Sequence, residues 1–401
     1  MLTIDKIYKA SNVLKPVIRR TGVIQAENLG GDNHIYLKTE NLQVTGSFKI
    51  RGSFYKISQL SAEEKAKGII ASSAGNHAQG TALSAQREGI RCTICMPDSA
   101  PLSKVEATKS YGAEVVLVNG AYDDSYEYAK QLCEEKGYTF IHPYDDEDVI
   151  AGQGTIGLEI LEQLDDVDAI VAPIGGGGLI SGVAFAAKSL KPSIKIYGVQ
   201  AARAASMYEA IKENKKITLD SVATFADGIA VKHPGDNTFE LVKEYVDEIF
   251  TVSEDEIAAA ILAMMEKQKI VAEGAGAVAV AAAMFNKLPI KDENVVCIVS
   301  GGNIDVNIID RVMTRGLLLS GRKTSFTIAL TDKPGQLLGV SKIISHNGGN
   351  VVAVDYDNGD PDMDITSCFL KITVETRNHK HIETIKQDLI KHGFEIVNQR
   401  T

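Results

Sequence analysis

The sequence has little positive charge, few cysteines and no long apolar run, and each scarcity excludes something. Lysines and arginines number 42 against 52 aspartates and glutamates, a net charge of −10. No basic surface is therefore available to a nucleic-acid backbone, and a small metabolite is the better class of partner. The longest small-apolar run, GAGAVAVAAAMF at 274–285, is too short to span a bilayer and fits a buried helix instead. The N-terminal MLTIDKIYKASNVLK mixes charged and apolar residues without a continuous apolar core, which reads as an amphipathic helix and not as a signal peptide. Five scattered cysteines make an odd set, suited to a reducing cytoplasm more than to a disulfide framework. Two of them, Cys92 and Cys95 in GIRCTICMPD, have C-x-x-C spacing. That segment has the pattern of a strand, where residues three apart point to opposite faces, so structural thiols are expected rather than a redox or metal pair.

What is present is alternation. At 401 residues, with 44% hydrophobic and 23% charged, the chain has the composition of a soluble globular protein of two or three domains. From about residue 68 short apolar runs alternate with helical segments: GIIASSAGN, then IRCTICMP, AEVVLVNG, DAIVAPIGGGG, KIYGVQ and NVVCIVSGGN. That is the signature of an α/β fold of the doubly wound class, in which ligands collect at the C-terminal ends of parallel strands. The loops SSAGN, GGGG and SGGN all sit at such ends. After a linker near 320–325 the pattern becomes βαββαβ, which suits a small antiparallel sheet with helices on one face.

The tetraglycine Gly175–Gly178 follows one apolar run and opens the helical LISGVAFAAKSL. Glycines there let backbone N–H groups turn inward at a helix N-terminus, which favours a phosphate; the alternative is a plain tight turn. The loop lacks the spacing of a dinucleotide site, because Ile180 or Ser181 falls where the last glycine should be, and no G-K-[ST] follows it. A monophosphate cofactor remains, and pyridoxal 5′-phosphate needs a lysine. Lys49, in TGSFKIRGS, stands behind a small flexible turn and between Phe48 and Ile50. It is either a surface lysine with its stem on the core or an amine held in a pocket.

TGSFKIRG, SSAGNHAQG, PIGGGGLISG and VSGGN occur in this order, and together they resemble the serine/threonine dehydratase group of the fold type II pyridoxal-phosphate enzymes over residues 1–320. The resemblance implies two open, twisted parallel-sheet lobes with helices on both faces, the small lobe at roughly 50–150 being inserted in the large one. It implies pyridoxal 5′-phosphate attached to Lys49, with Asn76 bonded to its 3′-hydroxyl, Gly175, Gly176, Gly177 and Gly178 around its phosphate, and Ser300 facing its pyridine nitrogen. Ser72, Ser73, Gly75 and Asn76 are then the substrate loop. The implied activity is that of an ammonia-lyase, converting threonine to 2-oxobutanoate and serine to pyruvate. His77, beside Asn76, is expected to be a packing or hydrogen-bonding partner and not a base.

Serine racemases resemble the sequence too, but they carry a serine at the position of Ala74, and alanine moves no proton. Their cation site falls on residues that read Gln200 and Ser206 here, so no metal is expected. A regulatory amino-acid-binding protein without catalysis is the alternative from another class. Residues 325–401 resemble an ACT domain, whose D-x-P-G-x-L turn, here Asp332–Leu337, and NGGNV strand entry imply an amino-acid effector, isoleucine or another, between paired copies. A homodimer or homotetramer is expected. The tract DYDNGDPDMD fails the EF-hand pattern, because Gly359 is one position early and Thr366 replaces the terminal glutamate, and reads as a polar hairpin loop.

Overall fold

The computed structural model describes residues 2–357 and 365–397 and divides into two compact units, Met1–Asp305 and Val306–Thr401. In the first unit the apolar runs form two separate sheets. One has six strands in the order Val23–Gln25, His34–Lys38, Asn294–Ile298, Ala169–Pro173, Lys195–Ala201 and Glu248–Val252, parallel except for the first. The other has four parallel strands, Glu114–Val118, Cys92–Pro97, Ile69–Ser72 and Thr139–Phe140. The central strands Ile69–Ser72, Cys92–Pro97 and Ala169–Pro173 are buried throughout, because helices cover both faces. Within Cys92–Pro97 the two thiols do face opposite ways: Cys92 packs with Ile69 and Ile94, Cys95 with Ile70 and Ala129. Burial pushes Cys92 up to about 12 and Cys95 up to about 11, so both stay protonated and unreactive.

Local signals place the helices that carry the functional segments. Asp146 caps Glu147–Gln163 by accepting the N–H groups of Asp148 and Val149, and Gly89 ends Asn76–Glu88 in the left-handed conformation. The short helix Lys49–Ser58 has no side-chain cap; tertiary packing holds it. Helix Asn76–Glu88 crosses it so closely that a Cβ at Gly80 would lie 3.1 Å from the carbonyl carbon of Lys49.

Beneath Lys49–Ser58 lies a buried ionic cluster. The Arg51 guanidinium is inaccessible to solvent, and it donates from Nε and Nη2 to the two oxygens of Glu40 at 2.8 Å each. It also donates from Nη1 and Nη2 to Glu159, at 2.7 and 2.9 Å. Lys38 Nζ adds a 2.6 Å bond to Glu159 and one to the Thr21 carbonyl at 2.7 Å. Burial works against the charge on Arg51, but Glu40 and Glu159 outweigh it, so its pKa is raised further. Burial likewise opposes the charge on Glu40, but Arg51 outweighs it, so the carboxyl is held below its usual range. Two cations and two carboxylates thus neutralise each other in the interior.

The second unit begins with helix Val306–Leu319, so the units part earlier in the chain than the linker expected near 320–325. The helix end is tied to the later chain by hydrogen bonds from His379 to the Leu319 carbonyl and from Thr376 to the Gly321 carbonyl. A four-stranded antiparallel sheet follows, ordered Asn350–Asp357, Ser367–Glu375, Lys323–Thr331 and Glu395–Ile396. Helices Gln336–His346 and His379–Lys391 complete the βαββαβ sequence. Strict alternation puts Phe326, Ile328, Leu330, Leu370, Ile372 and Val374 in one core with Val340, Ile344, Ile385 and Leu389 from the helices. Of the polar tract expected as a hairpin loop, residues 358–364 lie outside the described residues. No helix among the described residues is long and apolar enough to cross a membrane.

Replacing Arg51 by Met would leave Glu40 and Glu159 short of a partner in a buried site. The loss expected is roughly 3–5 kcal/mol, read as a lower urea midpoint, with Arg51→Lys falling between the variant and the parent.

Candidate active site

The C-terminal ends of both parallel sheets open onto one cavity of about 530 Å³, lined by Lys49, Ser72–His77, Tyr144, Gly175–Gly178, Glu273 and Ser300 among others. The four loops singled out in the sequence are therefore brought together. Two helix N-termini also open there: Asn76–Glu88, entered through Gly75, and Gly178–Leu190, entered through Gly177. The first N–H groups of a helix have no intrahelical acceptor, so each end presents donors and positive potential to the cavity.

The tetraglycine is a cradle that side chains would fill. A Cβ on Gly176 would enter the Tyr144 ring at 2.4 Å, and one on Gly178 would meet the Tyr144 backbone at 2.8 Å. Gly177 has φ +99°, open to glycine and strained for other residues. Thr238 Oγ1 donates to the Gly176 carbonyl at 2.6 Å and fixes the turn. With Gly175, whose Cβ would lie 3.1 Å from Ile229 Cα, all four glycines are explained by contact and conformation together, which a plain turn would not require.

Lys49 is half-buried, and its amine donates to the Pro143 carbonyl at 2.8 Å and lies 5.3 Å from the centre of the Phe48 ring. Loss of hydration lowers its pKa to about 8, with the carboxyl of Glu273 working the other way. The Pro143 loop is anchored by His142, whose Nδ1 accepts the N–H groups of Tyr144 and Asp145 at 3.3 and 2.8 Å. Asp145 in turn accepts the N–H groups of Asp236, Asn237 and Thr238. None of Pro143, Tyr144 or Asp145 carried a sequence signal, because the contact that gives each its role spans a long chain separation.

Ser72 lines the cavity, but its hydroxyl lies 3.1 Å from Ser125 Oγ, and the Ser73 hydroxyl accepts the Gly75 N–H at 3.2 Å. The donors left at this loop are the Ser73 hydroxyl hydrogen and the first N–H groups of helix Asn76–Glu88. His77 sits within hydrogen-bond distance of the Ile141 carbonyl, at 2.8 Å, and of Ser53; burial, then the charge on Lys49, lowers its pKa to about 3. It is neutral and engaged, as a hydrogen-bonding partner should be. Ser300 is buried at the cavity wall, and its carbonyl accepts the Phe48 N–H at 3.1 Å.

Glu273 was missed in the sequence, although it is the lone charge in IVAEGAGAVAVAAAMF. It is buried at the cavity and accepts from Asn76 Nδ2 at 2.6 Å. Burial, then Asp227, pushes its carboxyl up to about 7. Two ion pairs, Lys104 with Asp227 and Lys232 with Asp123, join residues of the two lobes at the cavity. Among the described residues no group of three or more His, Cys, Asp and Glu side chains is placed to hold a metal ion. The Gln200 carboxamide is fully engaged, donating to the Ile174 and Ala204 carbonyls and accepting from the Tyr208 N–H.

The lowered basicity of Lys49 is measurable by competitive labelling with an amine-reactive reagent: modification of Lys49 should rise with a midpoint near pH 8, while exposed lysines follow the ordinary value near 10.4. Gly177→Ala should cost roughly 1–3 kcal/mol of strain at the cradle, seen as roughly 5- to 150-fold weaker binding of pyridoxal phosphate in an absorbance titration.

The profile of the family described as "Pyridoxal-phosphate dependent enzyme" matches residues 14–301. An L-threonine ammonia-lyase of Thermotoga maritima is 49% identical over 400 residues, covering 99% of both chains. The processed form of threonine deaminase isoform 2 from Solanum lycopersicum has a similar structure, with TM-score 0.74 and 40% identity over 78% of this chain and 89% of that one. Maize serine racemase is similar at TM-score 0.74 and 36% identity, over 79% and 98%. The glycine cradle at a helix N-terminus and an amine of lowered basicity in the same cavity fit a phosphate-bearing aldehyde cofactor. With the family profile spanning most of its length, the chain belongs to the pyridoxal-phosphate-dependent enzymes.

Proposed function

We propose that the protein is an L-threonine ammonia-lyase that converts L-threonine to 2-oxobutanoate and ammonia, and L-serine to pyruvate and ammonia. The observation that carries this reading is the convergence, in one cavity, of a weakly basic lysine with two helix N-termini that suit a cofactor phosphate and a substrate carboxylate. The full-length likeness to the Thermotoga maritima protein supports it.

Bound pyridoxal phosphate supplies an electron sink that acidifies the Cα–H bond of the amino acid. Lys49 is the attachment lysine and then the base: burial lowers its pKa to about 8, so near that pH a large share is neutral and able to take the Cα proton. Gly175–Gly178 would hold the cofactor phosphate, Asn76 would donate to its 3′-hydroxyl, and Ser300 would lie at its ring nitrogen. A serine would offer that nitrogen no full negative charge, which would favour loss of the β-hydroxyl over transamination. The substrate carboxylate lies at the Ser72–Asn76 loop, held by the helix N–H groups and the Ser73 side. The Cα–H and Cβ–O bonds break and water leaves; the released enamine takes up water and yields ammonia and the 2-oxo acid.

The maize racemase likeness favours one rival, racemisation of serine. That reaction needs a proton donor on the opposite face, and Ala74, which lines the cavity between Ser73 and Gly75, provides none. Residues 1–305 are the catalytic unit in this reading, and the C-terminal βαββαβ unit is an ACT domain. Its Asp332–Leu337 turn leads through Gly335, at φ +94°, into helix Gln336–His346, and its edge strand Asn350–Asp357 exposes Val352, Val354 and Tyr356. Such an edge suits pairing with a second copy and an amino-acid effector, isoleucine or another, in a cytoplasmic homodimer or homotetramer.

A 2-oxo-acid assay on L-threonine and L-serine tests the proposal. Lys49→Ala should lower turnover by about 10³-fold or more, with no D-serine formed by the parent protein. Turnover that survives in Lys49→Ala would overturn the mechanism, and threonine kinetics unmoved by every branched-chain amino acid would overturn the effector site.

A further inference from the structure

Asn76 is held by two further side chains, and the bonds between them have only one consistent direction. Asn303 Nδ2 donates to the Thr45 carbonyl at 2.8 Å and to Asn76 Oδ1 at 2.8 Å. A backbone carbonyl only accepts, so the Asn303 amide cannot be turned around without placing two oxygens together. Asn76 must therefore present Oδ1 to Asn303 and Nδ2 to the other side, where Glu273 Oε1 accepts at 2.6 Å. One Nδ2 hydrogen goes to Glu273, and the second is left on a half-buried side chain that lines the cavity.

Glu273 is placed for this task at the expense of its ordinary one. It stands at the N-cap of helix Gly274–Met284, where an acidic side chain usually accepts the N–H groups of its own first turn. It makes no such bond and turns to Asn76 instead. The fit is tight on its other side: a Cβ at Gly301 would come within 2.3 Å of Glu273 Oε1 and 3.1 Å of Asn76 Nδ2. Only 4% of Glu273 is exposed, so its carboxyl is largely withdrawn from bulk solvent.

We propose that Glu273 and Asn303 are positioning residues that clamp the Asn76 carboxamide from both ends, so that its remaining Nδ2 hydrogen faces the ring oxygen of the cofactor. This rests on the reading of Asn76 as the residue that bonds the cofactor's 3′-hydroxyl. The carboxylate end of the clamp is surrounded by Asp227, which disfavours its charge, and by Lys104 and Lys49, which favour it. Because Asn303, held by the Thr45 carbonyl, can only donate to Asn76, the clamp excludes the flipped amide, in which Asn76 would offer its oxygen to the cofactor's oxygen.

A double-mutant cycle on the full-length protein tests the clamp. Apoprotein is prepared with hydroxylamine and titrated with pyridoxal phosphate, and its affinity is read from absorbance. Asn76→Ala and Glu273→Ala should each weaken binding about tenfold, the worth of one hydrogen bond. The double variant should be no weaker than Asn76→Ala alone, within about twofold, because Glu273 acts only through Asn76. Glu273→Gln keeps an acceptor oxygen and should restore affinity to within about threefold of the parent. Should Glu273→Ala not fold, Asn303→Ala carries the same cycle from the other end. Effects that multiply in the double variant would overturn the clamp in favour of a merely structural role. Affinity unchanged in Glu273→Ala while Asn76→Ala is weakened would overturn the clamp and leave the reading of Asn76 standing. Affinity unchanged in Asn76→Ala would instead overturn that reading, and the clamp with it.

Discussion

A guanidinium buried without water must be paired, and Arg51, two residues beyond Lys49, is paired twice, each time through two nitrogens. That constraint organises the first unit. Lys38 ends strand His34–Lys38, Glu40 comes from the turn just after it, and Glu159 from helix Glu147–Gln163, so one ionic cluster ties helix Lys49–Ser58 to that strand end and to a helix distant in the sequence. Helix Lys49–Ser58 has no cap of its own and inherits its position from this cluster and from the close crossing of helix Asn76–Glu88. A planar, forked cation suits the task because it fixes angle as well as distance, where a lysine would fix distance alone.

The same economy of charge operates at the cavity. Burial disfavours the charged form of each titratable group at the cavity: Lys49 is lowered to about 8, His77 to about 3, and Glu273 is raised to about 7. Fixed backbone dipoles, at two helix ends, take over the binding of anions. A site of this kind offers a lysine that gains and loses its proton near pH 8, and it leaves phosphate and carboxylate to groups that do not titrate.

The strands were legible because a parallel sheet covered on both faces reads as unbroken apolar runs, and Ile69–Ser72, Cys92–Pro97 and Ala169–Pro173 are such runs. The βαββαβ order of the second unit was legible for the opposite reason, a clean alternation with one wet face. Helix Val306–Leu319 falls in the compact unit of the later residues, and an amphipathic helix between two units carries no mark in the sequence of which one it joins. Tyr144, Asn303 and the Arg51 cluster were invisible for a related reason. Their meaning is a contact across dozens or hundreds of residues, and single-residue pattern has no term for that.

By itself, then, the sequence determined the α/β class, the phosphate-suited glycine loop and the family likeness that singles out Lys49. These are local: a run of small residues or an apolar stretch has the same conformational consequence wherever it is placed. Only the tertiary structure decided that Ser72 turns its hydroxyl to Ser125, that His77 is neutral and engaged, and that Glu273 leaves its own helix to hold Asn76. Hydrogen-bond direction and desolvation depend on what lies within a few ångströms in space, and chain order does not contain that distance.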